Sequence, residues 1–358
     1  MNRPSRVASR WLLLISLVVT HAVADETLHY PAAPDNGPAT SLVVHGALDL
    51  PQMQPLLEGF HRQNPDVTVR YRNLTTLALH ERFLAAPDEA DVLLSSAMPW
   101  QYRLANEGHA RALASPAAKR WPAWARWRHE LFAITFEPIV MVVNQAVIER
   151  FGEVRGHADL LALLERHAGA LQGRVVTYDP ATSGAGYTYA IEESRLSPRY
   201  WDLVAALGKA ETALADTTAE MLDGLIEGRY LVGYNLLGSY AQERLANQPQ
   251  LRIVVPEDYA LVTQRLALIP RQAPHPQAAE RFLDYLISET GQTVLARETP
   301  LGAIHPALDG PGTATALRQA RGEALRPIAV GPGLLATLDD LKREALLTRW
   351  QREFARGE

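Results

Sequence analysis

Ser41-Leu42-Val43-Val44-His45-Gly46 and, further along, Asp91-Val92-Leu93-Leu94-Ser95-Ser96 decide the fold. Each is a short, continuous apolar run that stops at small or polar residues. Strands of this kind are buried on both faces, so they need helices above and below the sheet. The residues between them supply those helices. Positions 51–64 carry Met53, Leu56, Leu57 and Phe60 at helical spacing and stop at Asn64-Pro65-Asp66. Positions 67–71 alternate as a strand, and 77–85 are helical. The order strand–helix–strand–helix–strand predicts an α/β domain with a mostly parallel sheet. Ligands of such sheets bind beyond the carboxyl ends of the strands. The turns at 46–49 and 95–100 are therefore candidate ligand loops.

Downstream, 132–144 (FAITFEPIVMVVN) is β-rich but too long for one ordinary strand. It reads as a pair of strands, or as one strand crossing between two lobes. Positions 160–171 are helical, 174–178 form a strand, 188–195 a helix, 231–234 and 251–255 strands, and 266–270 (LALIP) another buried strand. Positions 277–296 read as one long amphipathic helix. With 132–144 and 262–270 as crossings, the expected organisation is 25–138 in lobe one, 139–264 in lobe two and 265–358 returning to lobe one with the C-terminal helices. The length of the chain, 358 residues, also exceeds what one core usually serves.

The first residues predict export. Arg3, Arg6 and Arg10 precede an apolar run from Trp11 to Val19, and Ala22-Val23-Ala24 offers the small residues that a signal peptidase requires. The run is too short to span a bilayer, so 1–24 is expected to be a cleaved signal peptide and the protein periplasmic. With no Cys, lipid attachment, disulfides and thiolate metal sites are not expected. Loss of the three arginines takes the formal charge from −5 to −8, which argues against nucleic acid and anionic membranes as partners.

Three segments can carry binding chemistry. Tyr178-Asp179-Pro180-Ala181-Thr182-Ser183-Gly184-Ala185-Gly186-Tyr187 follows a strand and opens a helix. Thr182 or Ser183 can cap that helix, and the free N–H groups at its start suit an anion. Gly184, Ala185 and Gly186 let a ligand approach the backbone, and Tyr187 can add a hydroxyl. The segment lacks the third glycine of a dinucleotide fingerprint and the Gly-Lys-Ser/Thr of a P-loop, and Ser183 is not in a nucleophile elbow. In the second segment, 233–240 (GYNLLGSY), Tyr234, Asn235 and Ser239 can reach a ligand. The third comprises Gly46 and Ala47 with Ser95 and Ser96 at the two early strand ends. Glu137 is a lone carboxylate before Pro138 that either touches ligand or orients a hinge. Four of the seven Trp fall between 100 and 127; they read mostly as packing anchors, with Trp100 the one placed to stack on a ligand. The His show no metal spacing, and most, His157 included, read as solvated. No catalytic constellation is visible, so the chain is not expected to be an enzyme, and no cofactor is expected.

Taken together, the signal peptide, 43–47 (VVHGA), 91–97 (DVLLSSA), 137–140 (EPIV), 179–187 and the tail 327–350 resemble the type II periplasmic solute-binding proteins of ABC transporters. The branch most resembled is the iron(III)/organophosphate-type group, and the chain is also similar to the phosphoglycerate transport regulatory proteins, which act with a sensor kinase. The resemblance implies a two-lobed fold with a hinge and an interlobe ligand cleft. It implies a monomer that binds a small anionic solute and docks to a membrane ABC permease or, alternatively, to the periplasmic domain of a sensor kinase. The ferric members use adjacent tyrosines, whereas here Tyr240 is followed by Ala241. The resemblance therefore implies phosphate- or carboxylate-type contacts from 183–187 rather than a tyrosinate iron site.

Overall fold

The computed structural model describes residues 26–34 and 40–356. The signal-peptide expectation falls on 1–24, outside the described residues. Two sheets form two lobes. In the first, strands run in the spatial order Thr27–Tyr30, Val67–Asn73, Thr40–Gly46, Val92–Ser95, Leu266–Pro270, Leu131–Ala133 and Arg126–Trp127. In the second the order is Ala213–Ala215, Val175–Tyr178, Val232–Leu237, Glu137–Asn144, Ala260–Thr263 and Leu325–Pro327. The chain passes from the first sheet to the second at 134–136 and returns at 264–265.

Several helices form where the apolar spacing places them. Leu50–Gln63 buries Met53, Leu56, Leu57 and Phe60 against the first sheet. His157–Leu171 and Tyr200–Lys209 cover one face of the second sheet, with Leu160, Leu164, Leu203 and Leu207 at the contact. One apolar core runs from the first sheet through the hinge segments into the second. A smaller core lies under the helices of lobe two.

Four expectations need correction. The sheets are mixed rather than mostly parallel, because each crossing segment enters its new sheet against the local strand direction. Leu266–Pro270 is antiparallel to both Val92–Ser95 and Leu131–Ala133, and Glu137–Asn144 is antiparallel to Val232–Leu237. The helix expected over 277–296 is two helices, Pro276–Leu286 and Glu289–Glu298. Ser288 ends the first and caps the second by accepting from Gly291 N at 3.1 Å. Gly291 fits this turn because a Cβ there would lie 2.0 Å from the Tyr285 carbonyl oxygen. The helix expected over 188–195 starts earlier, as Gly184–Leu196.

The C-terminal stretch, assigned to lobe one from the sequence, packs mainly on lobe two. Leu325–Pro327 pairs in parallel with Ala260–Thr263, and the helix Asp340–Arg356 lies on Tyr200–Lys209. A Cβ on Gly208 would meet the Phe354 carbonyl oxygen at 1.8 Å, so the absent side chain sets how closely the two helices approach. Trp350 is buried there beside Tyr200 and Val204.

Candidate functional site

Parallel pairing puts the predicted loops at one rim in each lobe. In the first sheet Gly46 is in register with Leu94 and Asn73. Ala47 N donates to Leu94 O at 2.8 Å and Leu74 N to Gly46 O at 2.8 Å. The turns after all three strands therefore emerge together. Gly46 is required here, since a Cβ would fall 2.5 Å from the Tyr71 hydroxyl. In the second sheet Tyr178 is in register with Ala215, and Asp179 N donates to Ala215 O at 2.9 Å. The two rims face each other. A Cβ on Gly184 would lie 3.3 Å from the Trp100 ring and 3.9 Å from Thr76 Oγ1. Gln52, in the first turn of Leu50–Gln63, donates to Glu243 of the opposite lobe and bridges the cleft.

The loop before Gly184–Leu196 is built as the sequence suggests. Ser183 Oγ caps the helix by accepting from Gly186 N at 3.2 Å. Gly186 sits where a Cβ would clash with Tyr178 Cβ at 2.5 Å. Asp179 Oδ1 accepts from Ala181 N at 2.8 Å, and Thr182 donates its hydroxyl to Asp216. The N–H groups of Gly184 and Ala185 lie in the first turn, where a helix offers no backbone acceptor. Across the cleft Ser95 Oγ accepts from Ala97 N at 3.1 Å and so caps its own turn, while Ser96 is half-buried beside it. Trp100 stacks on His80, ring centroids 5.3 Å apart.

Five residues put forward from sequence turn inward instead. Glu137 is buried in the hinge. Its carboxylate accepts from Thr135 Oγ1 at 2.7 Å, Arg265 Nε at 3.0 Å, Arg265 Nη2 at 3.3 Å and Ser239 Oγ at 2.5 Å. Ser239 is therefore a hinge donor. Arg265 Nη1 donates onward to Ala47 O at 2.6 Å. The hinge ion pair thus ties the turn after Thr40–Gly46 in lobe one to the turn after Val232–Leu237 in lobe two. Burial alone would lower the Arg265 pKa, but the adjacent Glu137 charge raises it, so the guanidinium is a fixed cation.

Tyr234 and Asn235 both bond Glu193 Oε2, at 2.6 and 3.0 Å, inside lobe two. Successive strand residues normally point to opposite faces. Here the register slips between Gly233 and Leu236, and Asn235 takes a left-handed φ of 67°, which turns both side chains to one carboxylate. His157 completes this cluster and is buried, not solvated. It lies between Asp258 Oδ1 at 2.9 Å and Glu193 Oε1 at 3.2 Å, stacked on Tyr259. Burial would lower its pKa, but the hydrogen bonds and charges of Asp258 and Glu193 prevail and push it up to about 9. Tyr187 also points away from the cleft and donates to Thr337 O at 2.6 Å.

Arg265 is the main residue that sequence reading missed. Its signal was available: Gln264-Arg265 interrupts two apolar strands at the second crossing. Among the other Trp, Trp121 is a packing anchor whose Nε1 donates to Ala133 O at 2.9 Å. Burial pushes the Tyr240 hydroxyl up to about 12 against the pull of Arg265, which disfavours a phenolate. Among the described residues no group of three His, Cys, Asp or Glu could hold a metal ion, and no helix is long and apolar enough to cross a membrane.

Residues 45–298 match the family model for bacterial extracellular solute-binding proteins. The substrate-binding protein of an ABC transporter from Agrobacterium tumefaciens is 35% identical, with a TM-score of 0.86 over 92% of this chain and 98% of that one. At fold level the chain is similar to iron-bound HitA from Pseudomonas aeruginosa (17% identity, TM-score 0.68, 88% of this chain and 99% of that one). It is likewise similar to AfuA from Actinobacillus pleuropneumoniae with fructose-6-phosphate bound (16%, TM-score 0.70, 88% and 98%). No curated protein matches the chain. Solute-binding proteins of this kind are not enzymes; they bind small solutes outside the cytoplasmic membrane and deliver them to membrane permeases. On its sequence match and its two-lobed fold, the chain belongs to the family of bacterial extracellular solute-binding proteins, the periplasmic receptors of ABC transporters.

Proposed function

We propose that the solute is a small anion, a phosphate ester, phosphonate or carboxylate, gripped between the lobes by hinge closure. The observation that carries this reading is the start of Gly184–Leu196. The helix starts at Gly184, which lies against Trp100 and Thr76 of the opposite lobe, and a helix N-terminus favours negative charge. On this reading Thr182, Ser183, Gly184, Ala185 and Gly186 form one wall, and Gly46, Ala47, Ser95 and Ser96 the other. Glu137, Ser239, Tyr234, Asn235 and Tyr187 support the walls from behind. Solute contacts with both lobes favour the closed state by their difference in affinity for the two states. The sugar phosphate in AfuA supports a phosphorylated solute. The iron-bound relative is the rival within the same fold, and the unpaired, high-pKa Tyr240 counts against it. The iron(III)/organophosphate-type branch is the narrower placement that we favour.

A thermal-shift screen of residues 25–358 against phosphate esters, phosphonates, carboxylates, sugars and Fe(III) tests this. A ligand at 100 times its Kd stabilises by about 2.7 kcal/mol. Stabilisation by an anion supports the reading and names the class; stabilisation by Fe(III) or a neutral sugar alone overturns it. We further propose cleavage after Ala24, which an intact mass beginning at Asp25 would confirm.

A further inference from the structure

The C-terminal segment touches the hinge and both rims of the cleft. Leu325–Pro327 joins the second sheet, and Gln264 Nε2, at the return crossing, donates to Ile328 O at 2.9 Å. The turn Pro332–Thr337 then packs on Met98–Asn106, the helix that follows the 95–97 turn of lobe one. Leu334 and Thr337 are buried in that contact. From there the chain reaches the opposite rim. Tyr187 donates to Thr337 O, the Arg343 guanidinium lies 4.6 Å over the Tyr187 ring, and Arg343 Nη2 donates to Ala181 O at 3.1 Å.

We propose that Arg343 and Tyr187 are positioning residues that fix the 179–186 loop to the C-terminal segment and so hold its amides ready for solute. The inference rests on the reading that this loop binds the solute. Ala181 and Thr182 are exposed and lie outside the buried core. Asp179, within the loop, restrains the Ala181 N–H, and Asp216, beside it, the Thr182 hydroxyl. Arg343 adds the restraint on the carbonyl that precedes Thr182, and so on the peptide plane leading into the helix start. A guanidinium stacked on one ring and donating to one carbonyl has little freedom to drift.

The test compares Arg343→Met, Arg343→Lys and Tyr187→Phe with the wild type. Hydrogen exchange at amides 181–186 reports positioning without any ligand, and calorimetry with inorganic phosphate reports binding. In Arg343→Met, exchange at 181–186 should quicken about tenfold while Tyr200–Lys209 stays protected. Lysine should restore part of that protection, and Tyr187→Phe should show a smaller change of the same kind. Phosphate affinity should fall in the same order. Unchanged exchange at 181–186, or loss of protection spread equally over Tyr200–Lys209, overturns the proposal. Absence of phosphate binding in the wild type would instead count against the anion reading, and the exchange data would still decide the positioning role.

Discussion

The hinge and the interior of lobe two are each organised around a buried carboxylate, yet the two clusters behave differently. Glu137 faces Arg265, a cation that does not titrate in any ordinary range, and hydroxyls of Thr135 and Ser239 fill its remaining sites. Glu193 faces His157, whose charge is conditional, with Tyr234 and Asn235 as neutral donors. The cation of the hinge pair therefore stays charged at any ordinary pH, whereas the cation of the lobe-two cluster does not. Neither carboxylate is free to meet a solute. Both spend their acceptor capacity inside the protein, which is what burying a charge demands.

Breaking the hinge pair should have the largest effect. Glu137→Ala leaves Arg265 buried without its counter-charge and should cost about 3–5 kcal/mol in urea unfolding. The double variant Glu137→Leu with Arg265→Met should recover most of that loss, because an apolar pair of similar volume often replaces a buried ion pair at little cost. A single-variant loss below about 1 kcal/mol would mean that the pair contributes no more than a solvated one.

The lobe-two cluster should respond to pH. The His157 pKa rises from its ordinary 6.5 to about 9 in the folded protein. The stability from charged His157 is therefore complete below pH 6.5 and lost as pH rises through 9. The difference between wild type and His157→Gln should shrink by about 3 kcal/mol across that window. A difference that stays flat with pH would contradict a charged His157. Tyr234→Phe removes one hydrogen bond to the Glu193 carboxylate and should cost about 1.5–3 kcal/mol at any pH below that window.

Ser183→Ala should have the smallest effect on folding, about 1 kcal/mol from the lost cap. It should also weaken binding of whichever anion the thermal-shift screen identifies. Equal affinity in wild type and variant would remove Ser183 from the cleft wall.

Much of the fold was legible because its signals are local. The apolar runs at 41–46, 91–95 and 266–270 form strands, and the small residues at the ends of the first two mark where those strands turn. Gly186 and the Ser183 cap could likewise be read from the 178–187 segment, since a tight turn into a helix constrains residue type directly. Direction was not legible. Tyr187, Tyr234, Asn235 and Ser239 were read as reaching toward a solute, yet their side chains bond Thr337 O, Glu193 and Glu137 inside the protein. A one-residue irregularity in Val232–Leu237 reverses the expected alternation, and no local pattern announces it.

The sequence by itself determined a two-lobed α/β fold and where many of its strands, helices and turns fall. It could do so because strand burial, helical spacing and turn chemistry are set by neighbouring residues. Only the tertiary structure decided that Glu137 pairs with Arg265, 128 positions away. It alone placed His157 between Glu193 and Asp258, and returned the C-terminal segment to lobe two, behind the 179–186 loop. Those pairings join residues that are distant in the chain. The requirement that selects them, a partner for every buried charge, acts only once the chain has closed around it.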